Sequence, residues 1–153
     1  MRAWWTSLML LAGCTVHPSQ LATADHAVPG AYSGTMFLQL RAGLGPVPLV
    51  RDSCEADLEL WVDPGADHLV EGIARCEMES TGRVKVELWA DEVAMPEVGG
   101  EFESEALDAS WQGWFLVPDH LYGEAKGKQP HQGLTLRYEA TFDALWDMDL
   151  GTL

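Results

Sequence analysis

Two Asp-His pairs are the residues whose types best suit chemistry in this chain, Asp67-His68 and Asp119-His120. Each follows a proline turn, in Val62-Asp63-Pro64-Gly65-Ala66-Asp67-His68-Leu69 and in Val117-Pro118-Asp119-His120-Leu121. Imidazole and carboxylate together can ligate a transition metal. That chemistry needs both turns at one end of a sheet. The simpler reading is convergent turn chemistry, in which Pro presets φ and Asp hydrogen-bonds the turn. Glu101, Glu103 and Glu105 alternate along one segment. Paired carboxylates can do acid–base work, but three on one face also make the wet side of a sheet. Asp147-Met148-Asp149-Leu150-Gly151 spaces carboxylates and a glycine as a calcium loop does. It lacks the third carboxylate and the closing Glu, and reads as a solvated tail. There is no Gly-x-Ser-x-Gly elbow, no His-Glu-x-x-His, no phosphate loop and no dinucleotide fingerprint. These residues predict no catalytic set, no metal and no cofactor.

The N-terminus carries a different chemistry. Met1-Arg2-Ala3-Trp4-Trp5-Thr6-Ser7-Leu8-Met9-Leu10 sets a positive charge before an apolar run, and Leu11-Ala12-Gly13-Cys14 follows. That is the layout of a secretory signal. The run is too short to span a bilayer, which needs about 20 apolar residues. Leu11-Ala12-Gly13-Cys14 resembles the lipobox of bacterial lipoproteins. The resemblance covers only this first stretch of the chain. It implies a cut before Cys14, a thioether from Cys14 to diacylglycerol, and acylation of the new amine. Buried acyl chains at roughly 0.8 kcal/mol per methylene would hold the protein on a membrane. Thr15, rather than Asp, after the cysteine implies the outer membrane in a host with two membranes. The expected layout is a signal peptide over 1–13, a lipidated tether over 14–29 and a single β domain over 30–153. The tether is polar and mixed, with His17, Pro18, His26 and Pro29.

A hydrophobic fraction of 47% suits a folded domain. The formal net charge is −15. Taken as a whole, such a chain repels phosphate backbones and anionic headgroups. Nucleic acid is therefore not an expected partner; a protein or a cationic partner stays open, beside the simpler reading that the charge only keeps the protein soluble.

Cys54 and Cys76 remain after Cys14, an even pair in an exported chain, and predict a disulfide. Glu55 to Asp63 alternates with period two, His68 to Cys76 follows, and Asp63-Pro64-Gly65-Ala66-Asp67 reads as the turn between them. Folding about Gly65 sets Cys54 opposite Cys76, Ala56 opposite Ala74, Leu58 opposite Gly72 and Leu60 opposite Val70. On the other face Glu55 meets Arg75, and Glu59 meets Glu71, a mildly unfavourable pair. Zinc ligation by two isolated cysteines lacks the usual close pairing of ligands.

The rest reads as further strands. Tyr32, Met36, Leu38 and Leu40 share a face of the first. Arg41 to Ser53, with Gly43, Gly45, Pro46 and Pro48, reads as a long loop holding a short edge strand at Val47 to Val50. Val84, Val86, Leu88 and Ala90 alternate with Arg83, Lys85, Glu87 and Trp89. Pro96 and Gly99-Gly100 break that strand. Glu101 to Leu107 is a weaker strand, Trp111 to Val117 a strong one, and Leu121 to Lys126 another. Gly127 to Gly133 reads as a loop. Leu134, Leu136, Tyr138, Ala140, Phe142, Ala144 and Trp146 line one face of the last strand. Only Ala90 to Met95, Ala106 to Trp111 and the C-terminal tail could hold a turn of helix. Gly34, Gly72, Gly113 and Gly123 sit within strands, where glycine often marks a bend or bulge.

Short strands at even spacing predict an all-β fold, an antiparallel meander of about eight strands forming a small barrel or sandwich. The charged face on nearly every strand predicts a soluble barrel rather than a transmembrane one. Trp89, on a predicted wet face, is the first candidate for an exposed anchor, with packing beneath a loop as its alternative; Trp111 and Trp114 are more simply core residues. The expected function is that of a membrane-anchored envelope protein acting as a non-catalytic binding or structural module. A carboxylate-dependent envelope hydrolase and a carrier with a hollow barrel are the alternatives.

Overall fold

Alternation of apolar and polar residues decides every strand. The structure, a computed structural model, describes residues 26–44, 47–80, 82–105 and 107–148. Cys14, the signal segment and most of the expected tether lie outside the described residues. Eight strands follow in chain order: β1 (Gly30–Leu44), β2 (Val47–Val62), β3 (Val70–Met78), β4 (Gly82–Ala94), β5 (Glu97–Ser104), β6 (Leu107–Val117), β7 (His120–His131) and β8 (Leu134–Trp146). Each pairs antiparallel with the next, and β8 returns to pair with β1, closing a barrel. The expected all-β meander of eight strands is therefore a closed barrel rather than a sandwich.

The apolar face of each strand points inward, because that is the only surface the closed sheet removes from water. Met36 and Leu38 of β1, Leu58 and Leu60 of β2, and Val86 and Leu88 of β4 are buried there with Phe102, Trp111 and Phe142. Aromatic rings meet edge-on across the interior, Trp111 with Phe142 at 4.9 Å between centroids and Phe102 with Tyr138 at 6.0 Å. Eight strands leave an interior that side chains can fill, and here the inward side chains form one buried cluster. The outward positions of β2 carry Glu55, Asp57 and Glu59, all exposed, so this wall has no apolar band to face lipid.

Several sequence expectations are corrected. Arg41 to Ser53 is not a long loop: β1 and β2 pair as far as Leu44 and Val47, with a register shift at Ala42/Gly43. Pro48, paired with Gly43, stands at that shift, where a strand tolerates a missing N–H. Gly99 and Gly100 lie inside β5, and the strand β7 runs on through Gly127 to His131. No described residue is helical; Ala90 to Ala94 ends β4 and Leu107 to Trp111 opens β6. The shifts of register fall at Ala42/Gly43, Glu92/Ala94 and Phe115/Val117, not at Gly34, Gly72, Gly113 or Gly123. Gly34 answers a close approach instead, since a Cβ there would lie 1.9 Å from the Asp143 carbonyl oxygen on β8.

The β2–β3 register also differs, by two residues. Leu58 pairs with Ala74, Leu60 with Gly72 and Val62 with Val70. The turn is wider than the sequence suggests: Asp63 N–H donates to the Leu69 carbonyl at 2.9 Å, closing a loop centred on Ala66. Its first bend keeps the expected Asx geometry, with Gly65 N–H donating to Asp63 Oδ1 at 2.8 Å. A slip of two keeps every side chain on its predicted face, whereas a slip of one would invert them all. It also opposes Asp57 to Arg75 and Glu59 to Ile73, so the expected Glu59–Glu71 clash does not arise.

The two ends of the barrel differ. At one pole the inward residues Tyr32, Val62, Val70, Val98, Phe115 and Leu121 are fully enclosed. The chain entering β1 plugs this pole: Ala27 is buried, and Val28 N–H donates to the Pro118 carbonyl at 2.8 Å. The Tyr32 hydroxyl donates to the carbonyls of Val28 at 2.8 Å and Pro118 at 3.0 Å. At the other pole Leu40, Ala42, Cys76, Val84 and Tyr138 are only partly covered.

Burial, and next to it the Asp119 charge, push the Tyr32 hydroxyl far above the ordinary tyrosine range. A raised phenol favours the protonated fold, so stability present below the ordinary value of about 10 falls as pH rises beyond it. Tyr32→Phe should remove that alkaline slope and lower stability by about 1–3 kcal/mol, because the Val28 carbonyl loses its hydroxyl donor and the Pro118 carbonyl keeps only the Val28 N–H. Urea unfolding at neutral and alkaline pH reads both effects; an unchanged alkaline slope in the variant contradicts the assignment.

Candidate functional site

β2 and β3 cease to pair beyond Asp57 and Arg75, toward the open pole. Two other links hold them there. A disulfide joins Cys54 to Cys76, with 5.9 Å between their Cα atoms. The predicted bond is present, although in the observed register the two cysteines are not directly opposed. Beyond it, the Asp52 carboxylate accepts from Glu79 N–H at 3.2 Å, from Ser80 N–H at 2.8 Å and from the Ser80 hydroxyl. These hydrogen bonds, that from the Ser80 hydroxyl first, hold the Asp52 carboxyl below the usual carboxylate range. Asp52 thus fastens the turn between β3 and β4.

β4 runs past the end of β5, whose last rungs are Glu87–Glu103 and Leu88–Phe102. The resulting notch is a cleft of about 770 Å³. Its floor is apolar, with Leu40, Cys76 and Val84, and its lip is charged, with Arg75, Lys85, Glu87 and Glu103 among others. Lys85 pairs with Glu87. Arg75 and Lys85 stand directly opposite each other across β3 and β4. The cleft offers a short apolar patch ringed by charges of both signs, and suits a ligand or chain segment that is itself amphipathic.

Charge is sorted along the barrel. The eight described Lys and Arg residues each lie in the half of their strand nearer the open pole. The plugged pole carries Asp63, Asp67, Asp91, Glu92, Asp119 and Asp147.

The two Asp-His turns do share one end, the plugged pole, but they are not brought together. His68 Nδ1 pairs with Asp91 at 3.2 Å, and His120 Nε2 with Asp143 at 2.9 Å. Each histidine is thus clasped to a carboxylate 23 residues further on, one strand over. The echo seen in sequence is a repeated clasp. Among the described residues no group of three or more His, Cys, Asp or Glu is arranged to hold a metal. Glu101 and Glu103 face outward on β5, and Glu105 lies in the turn after it. Asp149 falls outside the described residues, while Asp147 N–H donates to the Ala31 carbonyl at 2.9 Å and so helps seal the plugged pole.

Trp89 is half-buried, with the His68 ring 6.4 Å away. Trp111 lies in the core, its Nε1 donating to the carbonyls of Trp89 and Glu101 at 3.2 Å each. Trp114 is buried on the outer face, stacked on Tyr122. Trp61, half exposed at 50%, is more open than any of them. It ends an otherwise regular strand at the plugged pole, and alternation alone put it on the wet side.

No protein-family model matches the chain. A search of curated proteins finds no relative either.

Replacing both cysteines, Cys54→Ala with Cys76→Ala, frees a loop of 22 residues. It should cost about 3 kcal/mol, read as a lower urea midpoint; an unchanged midpoint contradicts the role given to the bond. Ser80→Ala should let Asp52 titrate closer to the ordinary value of about 4. A lowered carboxyl stabilises the fold above that ordinary value, and the gain is lost as pH falls through the lowered one. The variant should therefore lose less stability on acidification. Carboxyl NMR titration checks this, and an unmoved Asp52 curve refutes it.

Proposed function

We propose that this protein is a lipid-anchored component of the bacterial envelope whose barrel acts by binding and not by catalysis. The reading of residues 1–14 supports the anchor. The observation that carries the binding half is the polarity of the barrel: the chain enters at the plugged pole, and the cleft opens at the other. With lipid on Cys14, the stretch from Cys14 to His26 reaches at most about 40 Å if fully extended. The plugged pole is then the end joined to the anchor, and the open pole is free to meet a partner. The cleft opens to the outside at the open pole, which favours recognition there over carriage inside. In a host with two membranes, Thr15 after the cysteine favours the outer one.

One observation favours the carboxylate-hydrolase reading: Glu87 and Glu103 stand directly opposite each other at the lip of the cleft. Lys85 already pairs with Glu87, which suits a structural ion pair better than a free acid–base couple.

Cys14→Ser should leave an unlipidated precursor and release the protein from the membrane fraction. Metabolic labelling with a radioactive fatty acid, followed by fractionation, reads this directly. Unmodified Cys14 in membrane-bound wild-type protein refutes the anchor. Turnover of an envelope polymer that disappears in Glu103→Gln refutes the non-catalytic half.

A further inference from the structure

Closing the barrel builds a row that no single hairpin contains. Arg51 pairs with Arg41 across β2 and β1. Arg41 pairs with Arg137 across β1 and β8. Arg137 pairs with Lys128 across β8 and β7. All four side chains are exposed on the outer wall. Directly opposed residues have Cβ atoms about 5 Å apart, and like charges at that spacing destabilise a sheet. Half of the described basic residues thus stand in directly adjacent positions. Lys126 adjoins the row, 3.8 Å from Glu139, and Arg41 donates to Gln39 Oε1 at 3.3 Å. A shallow depression of about 520 Å³ runs along the row, lined by Arg41, Lys126, Lys128 and Arg137 with Gln39 and Glu139.

An apolar tip stands next to it. Leu44, Val47 and Leu49 are exposed at 66%, 64% and 64%, and Val50 at 43%. They belong to the β1–β2 hairpin, directly beyond Arg41 and Arg51 on the same two strands. Toward its tip β2 pairs with β1, while among the described residues its ladder with β3 stops at Asp57 and Arg75. Branched apolar side chains in water beside a band of arginines suit one environment best, where the apolar tip enters an acyl layer and the cations meet phosphates. A soluble polyanion would satisfy the cations and leave Leu44, Val47 and Leu49 wet. The strip contrasts with the plugged pole, where Asp63, Asp67, Asp91, Glu92, Asp119 and Asp147 gather.

We propose that the open-pole face formed by the Arg51–Arg41–Arg137–Lys128 row and the Leu44–Val47–Leu49 hairpin tip docks on an anionic lipid surface. This rests on the barrel wall and not on Cys14, so it stands or falls separately from the lipid anchor.

Full-length Cys14→Ser protein, which carries no acyl chain, is mixed with vesicles of phosphatidylcholine alone or with an equal part of phosphatidylglycerol, and co-sedimentation is measured. Binding should require phosphatidylglycerol and fade toward 1 M salt, where the screening length is about 3 Å. Arg41→Gln with Arg137→Gln should weaken it about thirtyfold, at about 1 kcal/mol per cation near the surface. Leu44→Ser with Val47→Ser should also weaken it while leaving the salt dependence in place. Arg83→Gln with Lys85→Gln, at the cleft, should change it least. Circular dichroism confirms that each variant is folded. Equal binding to neutral vesicles, or no loss in the Arg41/Arg137 variant, overturns the proposal. Full competition by polyglutamate or by millimolar inorganic phosphate overturns it too, by showing a soluble-anion site instead.

Discussion

The pairing of β1 with β8 holds the rest of the structure in place. β1 is bonded on both sides, to β2 from Gly30 to Leu44 and to β8 from Tyr32 to Gly43. Without the second ladder, β1 and β8 would each expose a long edge of unpaired N–H and C=O groups, and a one-sided apolar sheet would face water. Closure removes both costs together. It also demands close passage of the two strands, and Gly34 permits it where any side chain would meet the Asp143 carbonyl. Once the sheet is closed, the interior is only wide enough for side chains. Trp111, Phe142, Phe102 and Tyr32 are buried in it.

Much of this architecture was legible in the sequence, because strand alternation is a local signal. The inward face of β8, from Leu136 through Ala140, Phe142 and Ala144, follows from spacing alone. So does the pairing of Cys54 with Cys76, since two cysteines on the two arms of a single hairpin leave few options. What failed depended on turn width and on glycine. Nothing in Asp63 to Leu69 announces that His68 and Leu69 belong to the loop, and the register moved by two. Gly99-Gly100 and Gly127 read as breaks, yet each makes room. A Cβ on Gly100 would meet the Trp89 carbonyl oxygen at 1.8 Å, and one on Gly127 would meet the Tyr138 hydroxyl at 2.3 Å. Absence of a side chain looks the same in sequence whether it ends a strand or lets a neighbour pass.

The candidate surfaces were the least legible part, for a related reason. Arg41 and Arg137 come from opposite ends of the domain, and only the closing ladder makes them neighbours. Net charge hid the pattern as well. A total of −15 describes the far field, and from it the chain appears hostile to every anion. At contact distance, within a screening length of about 10 Å, the strip across β7, β8, β1 and β2 is locally basic. The plugged pole is acidic and fixed to the incoming chain; the open pole gathers the cations, the cleft and the apolar hairpin tip. The disulfide and the Asp52 clamp lie at that same end, where the β2–β3 ladder has stopped and covalent and capping links take over from it.

Closure itself is the claim on which all of this rests, and native-state hydrogen exchange with cross-strand proton contacts tests it most directly. A closed barrel predicts contacts between Met36 and Phe142 and between Leu38 and Ala140, with the amides of both strands exchanging only through global unfolding. Fast exchange along one side of β1 and of β8, with no contacts between them, would show two free edges and an open sheet.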